Sequence, residues 1–487
     1  MRSFALVTFG CQMNQHDSER IEEVLGRAGL SRVDEPALAD LVLLNTCSVR
    51  EKAEQKLRSE VGRLGLLKRQ RPELLIGVAG CVAQQEGERL ARSMPQIDLV
   101  VGPDNIGELP DLLRELDGGG PPRVRTEFDL DAPRFLEAHP TDAPRSAFVT
   151  VMKGCNERCT FCIVPHTRGP ERYRPAREVI DEIARLVAAG TREVTLLGQT
   201  VNSYADPEAA LGPAPGAGEL PWTATHPSTA RADESEFAAL LRAISERVPD
   251  LLRLRYTSPH PRHLTMSLIR AHQELPVLCR HVHLPVQSGS DRVLRRMLRR
   301  YDVAEYSERV ARLRASVPGI TLSTDIIVGF PGESRADFEQ TLALVQRIGF
   351  TGTFGFKYSA RPHTPAQKLA DDVSEGDKSE RLAELFALTD RLRRDHLTAL
   401  VGSTQRVLVE GLSAQGGYTG RTEQNEIVHF GSRAQRVGQI VELTIARAFK
   451  NSLEGRESDA TLSAPLPERR GARERAPSAR ARSLPVL

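Results

Sequence analysis

The sequence predicts an α/β protein with three folded domains: an N-terminal parallel α/β domain, a central incomplete (βα)6 barrel and a small all-β barrel of the OB type. Three observations support this. Residues 1–117 alternate apolar strands with helical segments, residues 141–397 contain six strand–helix units, and residues 398–461 change to short alternating strands with glycines. A chain of 487 residues has room for about three domains of ordinary size.

Three apolar stretches in residues 1–117 predict parallel strands, and each is followed within two residues by a cysteine. Continuous apolar runs that alternate with helices are typical of a parallel sheet covered on both faces. Because ligands bind such sheets at the carboxyl ends of the strands, we expect the cysteines to meet at one edge as a thiol site. The alternative is that each thiol merely packs a loop. The stretches are 4–9, 40–46 and 74–80, and the cysteines are Cys11, Cys47 and Cys81.

Residues 118–140, which are rich in glycine and proline, are predicted to be a linker. The barrel is assigned to residues 141–397. In such barrels the loops after the strands carry the chemistry, and here these loops are rich in glycine, proline, serine and amide side chains. Turn formation favours the same residues, so ligand contact and plain turn chemistry both stay open for each loop. The strands are predicted near 147–152, 193–197, 252–257, 281–284, 321–328 and 353–358.

The loop after the first barrel strand carries the run Cys155-Asn-Glu-Arg-Cys159-Thr-Phe-Cys162. Three thiolates this close, with no fourth ligand completing the group locally, suit a four-iron cluster that leaves one iron open. The alternative is structural zinc, which usually pairs one CxxC with a second such pair. The next candidate, His166, has no partner of that kind nearby. The spacing therefore favours an iron–sulfur cluster over zinc.

Composition restricts the class of protein. A hydrophobic content of 40% with 27% charged residues is ordinary for a water-soluble protein, and no apolar run is long enough to predict a membrane span. Seven cysteines, three of them bunched, favour metal or redox use in a reducing compartment. Since no cleavable leader is recognisable either, we expect a cytoplasmic protein. A net charge of +2 is close to neutral, so the global charge gives no argument for nucleic-acid binding.

The C-terminal barrel, residues 398–461, is of a type often used on nucleic acid, but a solvated face would look the same. Its basic surface is predicted to include Arg421, Arg433, Arg436, Arg447, Lys450 and Asn451. Residues 462–487 are predicted to be a disordered basic tail, and residues 206–233 a flexible insertion without an assigned role. Cys279, with apolar neighbours, is expected to be a buried free thiol.

Several motifs together resemble those of a known enzyme superfamily. The CxxxCxxC run resembles the signature of the radical S-adenosylmethionine enzymes, whose core is an incomplete (βα)6 barrel. The other motifs narrow the resemblance to the methylthiotransferases, which carry a C-terminal TRAM domain, and the likeness covers residues 1–461. These motifs are residues 10–14 (GCQMN), 45–52 (NTCSVREK), 80–83 (GCVA), 283–290 (HLPVQSGS) and 325–333 (DIIVGFPGE).

Within the methylthiotransferases, residues 10–14, 45–53 and 420–425 (GRTEQN) are most similar to the branch that acts on tRNA. The nearest rival is the branch that modifies an aspartate of a ribosomal protein. Two departures stand out: Thr200 occupies a position where the family often has asparagine, and the insertion after Tyr204 is long. Neither departure touches the cysteines.

The resemblance implies two [4Fe-4S] clusters, one on each cysteine triad, and S-adenosylmethionine as cofactor. The core cluster would cleave one S-adenosylmethionine to a 5′-deoxyadenosyl radical, and the N-terminal cluster would carry the sulfur, methylated by a second S-adenosylmethionine. The expected reaction is methylthiolation at C2 of N6-(dimethylallyl)adenosine, at position 37 of tRNA. The implied partners are that tRNA, a low-potential electron donor and iron–sulfur assembly proteins.

For the S-adenosylmethionine pocket, residues at the strand ends are the candidates, because amide and carboxylate groups suit ribose hydroxyls and the methionine ammonium. No catalytic residue beyond the cluster ligands is assigned. A noncatalytic iron–sulfur protein that binds RNA, or a zinc module, remains the alternative class. The candidates are Gln199, Asn202, Ser258, Gln287, Ser288, Gly329 and Glu333.

Overall fold

The computed structural model describes residues 1–48, 51–116, 120–130, 135–137, 144–208, 235–413 and 416–457. Most of the insertion predicted over 206–233, and all of the tail predicted over 462–487, lie outside these residues. Within the described part of the chain, every helix is too short or too polar to cross a membrane.

The N-terminal domain is a six-stranded parallel sheet in the order β2-β1-β3-β4-β5-β6. Strand β3 is buried along its whole length because apolar clusters pack on both faces of the sheet, as predicted for a continuous apolar run. The elements are β1 Ser3–Phe9, α1 Gln12–Arg27, β2 Ser31–Arg32, β3 Leu41–Thr46, α2 Glu51–Gln70, β4 Leu75–Ala79, α3 Cys81–Glu86, α4 Glu88–Ser93, β5 Leu99–Val101, α5 Leu109–Leu116 and β6 Arg123–Arg125.

The edge strand β6 lies within the stretch predicted as a linker. It pairs with β5 in parallel, and Val124 packs against one of the apolar clusters of the sheet. A strand of three residues, Arg-Val-Arg, carries too little apolar pattern to be recognised from sequence. Part of residues 118–140 therefore belongs to the N-terminal sheet.

The core is an incomplete barrel of parallel strands, as predicted. It consists of two three-stranded sheets, β11-β10-β7 and β12-β13-β14, which a bridge between Leu254 and Leu278 connects. One apolar cluster fills the space between strands and helices. The elements are β7 Ser146–Thr150, β8 Met152–Lys153, α6 Val164–Arg168, β9 Arg172–Tyr173, α7 Ala176–Ala188, β10 Glu193–Leu197, α8 Glu236–Arg247, β11 Arg253–Tyr256, α9 Met266–Glu274, β12 His281–His283, α10 Asp291–Arg296, α11 Val303–Ser316, β13 Thr321–Val328, α12 Arg335–Ile348, β14 Gly352–Lys357 and α13 Glu375–Ala399.

The C-terminal domain is a closed five-stranded barrel in the order β15-β16-β17-β19-β18, which confirms the predicted small all-β barrel. Its interior is filled by apolar side chains from all five strands. The strands are β15 Thr404–Leu412, β16 Tyr418–Thr422, β17 Ile427–Phe430, β18 Ile440–Ala448 and β19 Leu453–Glu457.

The turn between β16 and β17 packs against the amino end of the core barrel. Arg253, the first residue of β11, donates to the carbonyl oxygens of Arg421 (2.5 Å) and Arg406 (2.7 Å). Arg255 donates to the carbonyl oxygens of Thr422 (2.8 Å) and Glu423 (3.1 Å). Because the C-terminal barrel occupies the amino end, the loops at the carboxyl ends of the core strands stay clear of it.

Candidate functional site

The three N-terminal cysteines lie at the carboxyl ends of three adjacent strands, as the sequence predicts. Cys11 precedes α1, Cys47 follows β3, and Cys81 is the first residue of α3. All three are reduced cysteines outside any disulfide. A side chain at Gly10 (φ +142°) would place its Cβ 2.5 Å from Cβ of Cys47, which shows how closely the first two strand ends approach. The sheet therefore brings the triad together from three separate stretches of sequence.

Two buried asparagines fix the geometry of this edge. Nδ2 of Asn14 donates to Oδ1 of Asn45 (3.1 Å), and Nδ2 of Asn45 donates to the carbonyl oxygen of Asn14 (2.8 Å). These bonds tie the first turn of α1 to the end of β3. Since Asn14 also accepts from Sγ of Cys11 (3.3 Å), the asparagines orient the cysteine loops.

The surroundings of the N-terminal triad shift the pKa values of its thiols in opposite directions. A hydrogen bond from Cys47 lowers the pKa of Cys11 to about 6 although burial opposes the shift, and the charge of Arg168 acts in the same direction. Burial raises the pKa of Cys81, against the charge of Arg168. Arg168 belongs to α6 of the core, and its Nε donates to Sγ of Cys81 (3.3 Å). The core thus supplies a cation to the thiol site of another domain.

The second triad, Cys155, Cys159 and Cys162, lies in the loop that follows β8 at the carboxyl end of the core barrel. Burial raises the pKa of Cys155 to about 11 and that of Cys162 to about 12, and the charge of Cys159 adds to both shifts. Such thiols become thiolates easily only when a cationic group binds them, because metal coordination favours the deprotonated form.

Two cysteines of this loop are held by neighbouring side chains. Oγ1 of Thr200 lies 2.9 Å from Sγ of Cys155, and NH1 of Arg299 donates to Sγ of Cys159 (3.3 Å). Arg299 is in turn fixed by the hydroxyl of Tyr301 (2.9 Å) and by the carbonyl oxygen of Pro285 (3.1 Å). The loop is therefore supported from both halves of the barrel.

The donor atoms of both triads are all sulfur. Three thiolates leave one iron of a four-iron cluster open, whereas structural zinc sites usually take four protein ligands. Within the described residues, one further group of possible metal ligands, Glu157, His260 and His263, has its ligand atoms all within 4.8 Å of one another. The donor chemistry of each triad therefore fits a four-iron cluster.

Two of the predicted pocket residues after β10 act as supports. Oε1 of Gln199 accepts from the backbone N–H of Gly154 (2.5 Å), directly before Cys155. Asn202 forms two bonds with the backbone of His260, since its Nδ2 donates to the carbonyl oxygen (3.0 Å) and its Oδ1 accepts from the N–H (2.7 Å). Asn202 therefore ties together the loops after β10 and β11 with one donor and one acceptor of its amide.

The predicted residues after β11 and β12 include two with left-handed backbone conformations. Ser258 has φ +59° and Gln287 has φ +74°, values that residues other than glycine rarely adopt. Such conformations persist where the surroundings enforce them, and they concentrate at functional sites. Ser288 is fully buried and bonds to Thr341 (3.3 Å) and to the N–H of Ser290 (3.2 Å), so its hydroxyl holds the loop.

The predicted residues after β13 form a tight turn. Gly329 has φ +69°, and a side chain there would collide with Lys378. Oε2 of Glu333 accepts from the N–H of Gly329 (2.6 Å) and from NH1 of Arg381 (2.6 Å). Burial raises the pKa of Glu333, opposed by these donors. Glu333 therefore closes the turn with one oxygen and leaves the other, Oε1, buried without a partner.

Among the described residues, several in the loops at the carboxyl ends of the core strands carry buried polar atoms without a hydrogen-bond partner. These atoms include Oε1 of Glu333, Nε2 of Gln199, Nε2 of His260 and Oε2 of Glu157. Burial lowers the pKa of His260 well below its ordinary value, and Nδ1 accepts from the N–H of Arg262 (3.3 Å), so the proton lies on Nε2. Two donors and two acceptors without partners fit a ligand that carries an ammonium, a carboxylate and ribose hydroxyls.

Sequence reasoning missed five residues of these sites: Glu157, Arg168, Thr200, His260 and Arg299. Glu157 lies inside the cysteine loop, and Thr200 and His260 follow predicted strands. Their positions in the sequence could therefore have identified them as candidates. Arg168 and Arg299 reach their cysteines from distant points in the sequence. Nothing in the residues around them indicates that contact.

Three family descriptions match the three domains. Residues 3–102 match the uncharacterized protein family UPF0004, residues 149–345 match the radical SAM superfamily, and residues 398–456 match the TRAM domain. The methyltransferase TsrM from Kitasatospora setae is a structural neighbour with a TM-score of 0.51 at 14% identity, covering 80% of this chain and 89% of TsrM, which shows a similar fold. Fold and site thus define a radical S-adenosylmethionine protein with an additional cysteine-bearing domain.

Curated relatives specify the family further. The chain is 60% identical to a tRNA-2-methylthio-N(6)-dimethylallyladenosine synthase from Sorangium cellulosum, over 100% of this chain and 99% of the relative. It is 45% identical to the enzyme of that name from Acidithiobacillus ferrooxidans, over 96% of this chain and 99% of the relative. The chain belongs to the tRNA-2-methylthio-N(6)-dimethylallyladenosine synthase family.

Proposed function

We propose that this protein transfers a methylthio group to C2 of N6-(dimethylallyl)adenosine at position 37 of tRNA. The observation that carries the proposal is the pair of cysteine triads, one at the carboxyl edge of the N-terminal sheet and one at the carboxyl end of the core barrel, with Arg168 of the core donating to Cys81. One triad alone would support radical generation but not sulfur insertion. Identity of 60% to a curated synthase over the full chain supports the choice of substrate.

Each triad would hold one [4Fe-4S] cluster, with Cys155, Cys159 and Cys162 as ligands in the core and Cys11, Cys47 and Cys81 in the N-terminal domain. When bound, the clusters supply one-electron cleavage of S-adenosylmethionine and sulfur to be methylated by a second S-adenosylmethionine. The adenine C2–H bond is unactivated and no side-chain base removes its proton, so a radical route is required.

The chain's own residues would bind, orient and shield the reactants. Gln199 holds Gly154, and therefore the start of the cysteine loop, in place. Nε2 of His260 and Oε2 of Glu157 offer a buried donor and a buried acceptor beside the loop. Burial of Cys155 and Cys159, at 9% and 7% exposure, keeps water away from the site. Single-electron cleavage also requires a low-potential donor, and assembly proteins would deliver the clusters.

The tRNA would contact the C-terminal barrel through the turn between β18 and β19. Phe449 is 45% exposed there, and the guanidinium of Arg447 lies 5.8 Å from its ring centroid. Lys450 and Asn451 are exposed beside it. We call Arg447, Phe449, Lys450 and Asn451 the Phe449 patch. An exposed aromatic ring flanked by cations is suited to base stacking and phosphate attraction.

Three residues of the predicted basic surface form ion pairs. Arg421 pairs with Glu410 (3.1 Å) and is 13% exposed, and Arg436 pairs with Glu457 (2.8 Å) and is 14% exposed. Lys450 pairs with Asp390 (3.1 Å) but stays 74% exposed. Arg421 and Arg436 therefore contribute less to RNA attraction than their sequence position suggests. Arg433 remains exposed. The basic surface is therefore smaller than predicted and centres on the Phe449 patch.

The reaction is tested in a bacterial strain that lacks its own methylthiotransferase for tRNA. Expression of this chain should restore 2-methylthio-N6-(dimethylallyl)adenosine in bulk tRNA, as measured by nucleoside mass spectrometry. The purified protein should hold about eight irons per chain after anaerobic reconstitution and should form 5′-deoxyadenosine. Methylthiolation of a ribosomal-protein aspartate with unmodified tRNA would instead support the rival branch. Iron without 5′-deoxyadenosine would favour a noncatalytic protein.

The RNA contact is tested with two matched exposed phenylalanines. Phe449→Ala should weaken tRNA binding by about 5–150-fold, because stacking of one base contributes about 1–3 kcal/mol. Phe386→Ala on α13, where Phe386 is 41% exposed, should leave tRNA binding unchanged. Unchanged affinity for Phe449→Ala would place the RNA elsewhere. Deleting the C-terminal barrel is a poorer test, because it uncovers Arg253 and Arg255 at the amino end of the core.

A further inference from the structure

Helix α6 links the two cysteine triads. It begins at Val164, two residues after Cys162, and ends at Arg168. Five residues of helix span about 7.5 Å. Along this distance the chain passes from the core triad to the N-terminal triad, where α6 packs on α3, the helix that begins with Cys81. Any cluster on the N-terminal triad is therefore in contact with the radical core.

Arg168 makes this contact with a fixed geometry. Its Nε donates to Sγ of Cys81 (3.3 Å), while NH1 and NH2 donate to the two carboxylate oxygens of Asp17 (3.3 and 2.5 Å). Its side chain is 4% exposed, and that of Asp17 is 9% exposed. A bidentate pair with a carboxylate holds the guanidinium plane rigidly. The donor to the sulfur therefore has one orientation.

Arg168 is also the point where the interface between the domains is anchored. Its carbonyl oxygen accepts from NH2 of Arg172 (2.8 Å), and Arg172 forms an ion pair with Asp104 of the N-terminal domain. Lys153 of the core binds the same carboxylate (3.1 Å). These contacts hold α6 against the N-terminal domain, but they do not reach a sulfur. Arg172 thus provides a structural comparison for Arg168.

We propose that Arg168 is a positioning residue for the N-terminal cluster. It reaches from the radical core to the ligand sulfur of Cys81, and it sets the reduction potential of that cluster and its retention by the protein. This rests on the proposed function, since it requires a cluster on Cys11, Cys47 and Cys81. Hydrogen bonds to ligand sulfurs and nearby charge are among the terms that set cluster potentials. Removing such supporting groups weakens metal binding or activity by about 10–100-fold.

The charges give the sign of the expected shift. A positive charge beside the cluster stabilises its reduced, more negative state and so raises the potential, while a negative charge lowers it. Arg168→Gln removes the cation and leaves the buried carboxylate of Asp17, so it should lower the potential most. Arg168→Lys keeps the charge and should shift the potential less. Asp17→Asn removes the anion and should raise it.

The experiment uses full-length chain with Cys155→Ala, Cys159→Ala and Cys162→Ala, so that the N-terminal cluster is observed alone. Reductive titration monitored by electron paramagnetic resonance gives its midpoint potential, and iron analysis gives its retention. The expected order of potentials is Asp17→Asn highest, then the unaltered Arg168 background, Arg168→Lys and Arg168→Gln. Loss of iron in Arg168→Gln, with retention in Arg168→Lys and Arg172→Gln, also supports the proposal.

Arg172→Gln is the matched control, since it breaks a clamp of the same interface without touching a sulfur. An equal shift or equal iron loss in Arg172→Gln and Arg168→Gln would overturn the proposal in favour of a purely structural role. An unchanged potential in Arg168→Gln would overturn it as well. If the background protein with Arg168 intact holds no cluster, it is the second cluster of the proposed function that fails.

Discussion

The two cysteine triads reach similar chemistry by different routes. The core triad comes from one short loop, whereas the N-terminal triad is gathered from the ends of β1, β3 and β4. Burial raises the pKa of Cys155 to about 11, whereas the hydrogen bond from Cys47 lowers that of Cys11 to about 6. One arginine donates to each triad, but Arg168 is paired with Asp17, and Arg299 binds a phenol and a carbonyl oxygen.

The difference shows which parts of the fold each site depends on. The core triad depends on its own loop and on the barrel strands around it. The N-terminal triad depends on a second domain, because Arg168 comes from the core. The following predictions test this comparison in order of expected effect.

Removing one ligand from each triad should separate the two functions most strongly. Cys155→Ala should abolish 5′-deoxyadenosine formation, because the core cluster loses a ligand. Cys47→Ala should abolish methylthiolation but retain part of the cleavage of S-adenosylmethionine. Chromatography of 5′-deoxyadenosine and of modified nucleosides measures both. Product formation by both variants would refute the division of labour.

Arg299→Gln should slow cleavage of S-adenosylmethionine by about 10–100-fold, because the core cluster loses its donor at Cys159. Arg299→Lys should recover part of the loss, since it keeps the charge. The rate of 5′-deoxyadenosine formation and the iron content measure the effect. Arg295→Gln, an exposed neighbour on α10, serves as control. Equal losses in Arg295→Gln and Arg299→Gln would contradict a specific role for Arg299.

Gln199→Ala should raise the dissociation constant for S-adenosylmethionine by about 5–30-fold, since losing a buried hydrogen bond costs about 1–2 kcal/mol. Both the bond to Gly154 and the unpartnered Nε2 would be lost. Ser288→Ala should lower the free energy of unfolding without weakening binding, because its hydroxyl bonds within the loop. Equilibrium dialysis and thermal unfolding separate the two effects. Unchanged affinity in Gln199→Ala would remove it from the pocket.

Thr200→Val should have the smallest effect, a roughly 2–5-fold change in cleavage rate, because a single hydroxyl contact to Sγ of Cys155 is lost. Thr200→Asn introduces the residue that is frequent in the family and should keep activity, since an amide can also donate to the sulfur. Steady-state assays of 5′-deoxyadenosine measure both variants. A larger loss for Thr200→Asn than for Thr200→Val would show that the site is built for threonine.

Much of the fold followed from the sequence because its signals are local. The strands β10 and β13 have the predicted bounds, since each is a short stretch rich in apolar and β-branched residues between turn residues. The edge strands β2 and β6 were not predicted, because two or three residues are too few to show the alternating pattern of a strand. The predicted pocket residues lie in the loops after the core strands, and several of them support those loops. Glu333, for example, binds Gly329 and Arg381.

The sequence by itself determined the order of the domains, the six cysteines and their expected partition into two triads. These depend on spacing and on the rule that parallel strands end at one edge. Only the tertiary structure decided that Arg168 reaches Cys81, that Arg299 reaches Cys159, and that the turn between β16 and β17 covers the amino end of the core barrel. Such contacts join residues far apart in the chain, and their geometry depends on how whole domains pack.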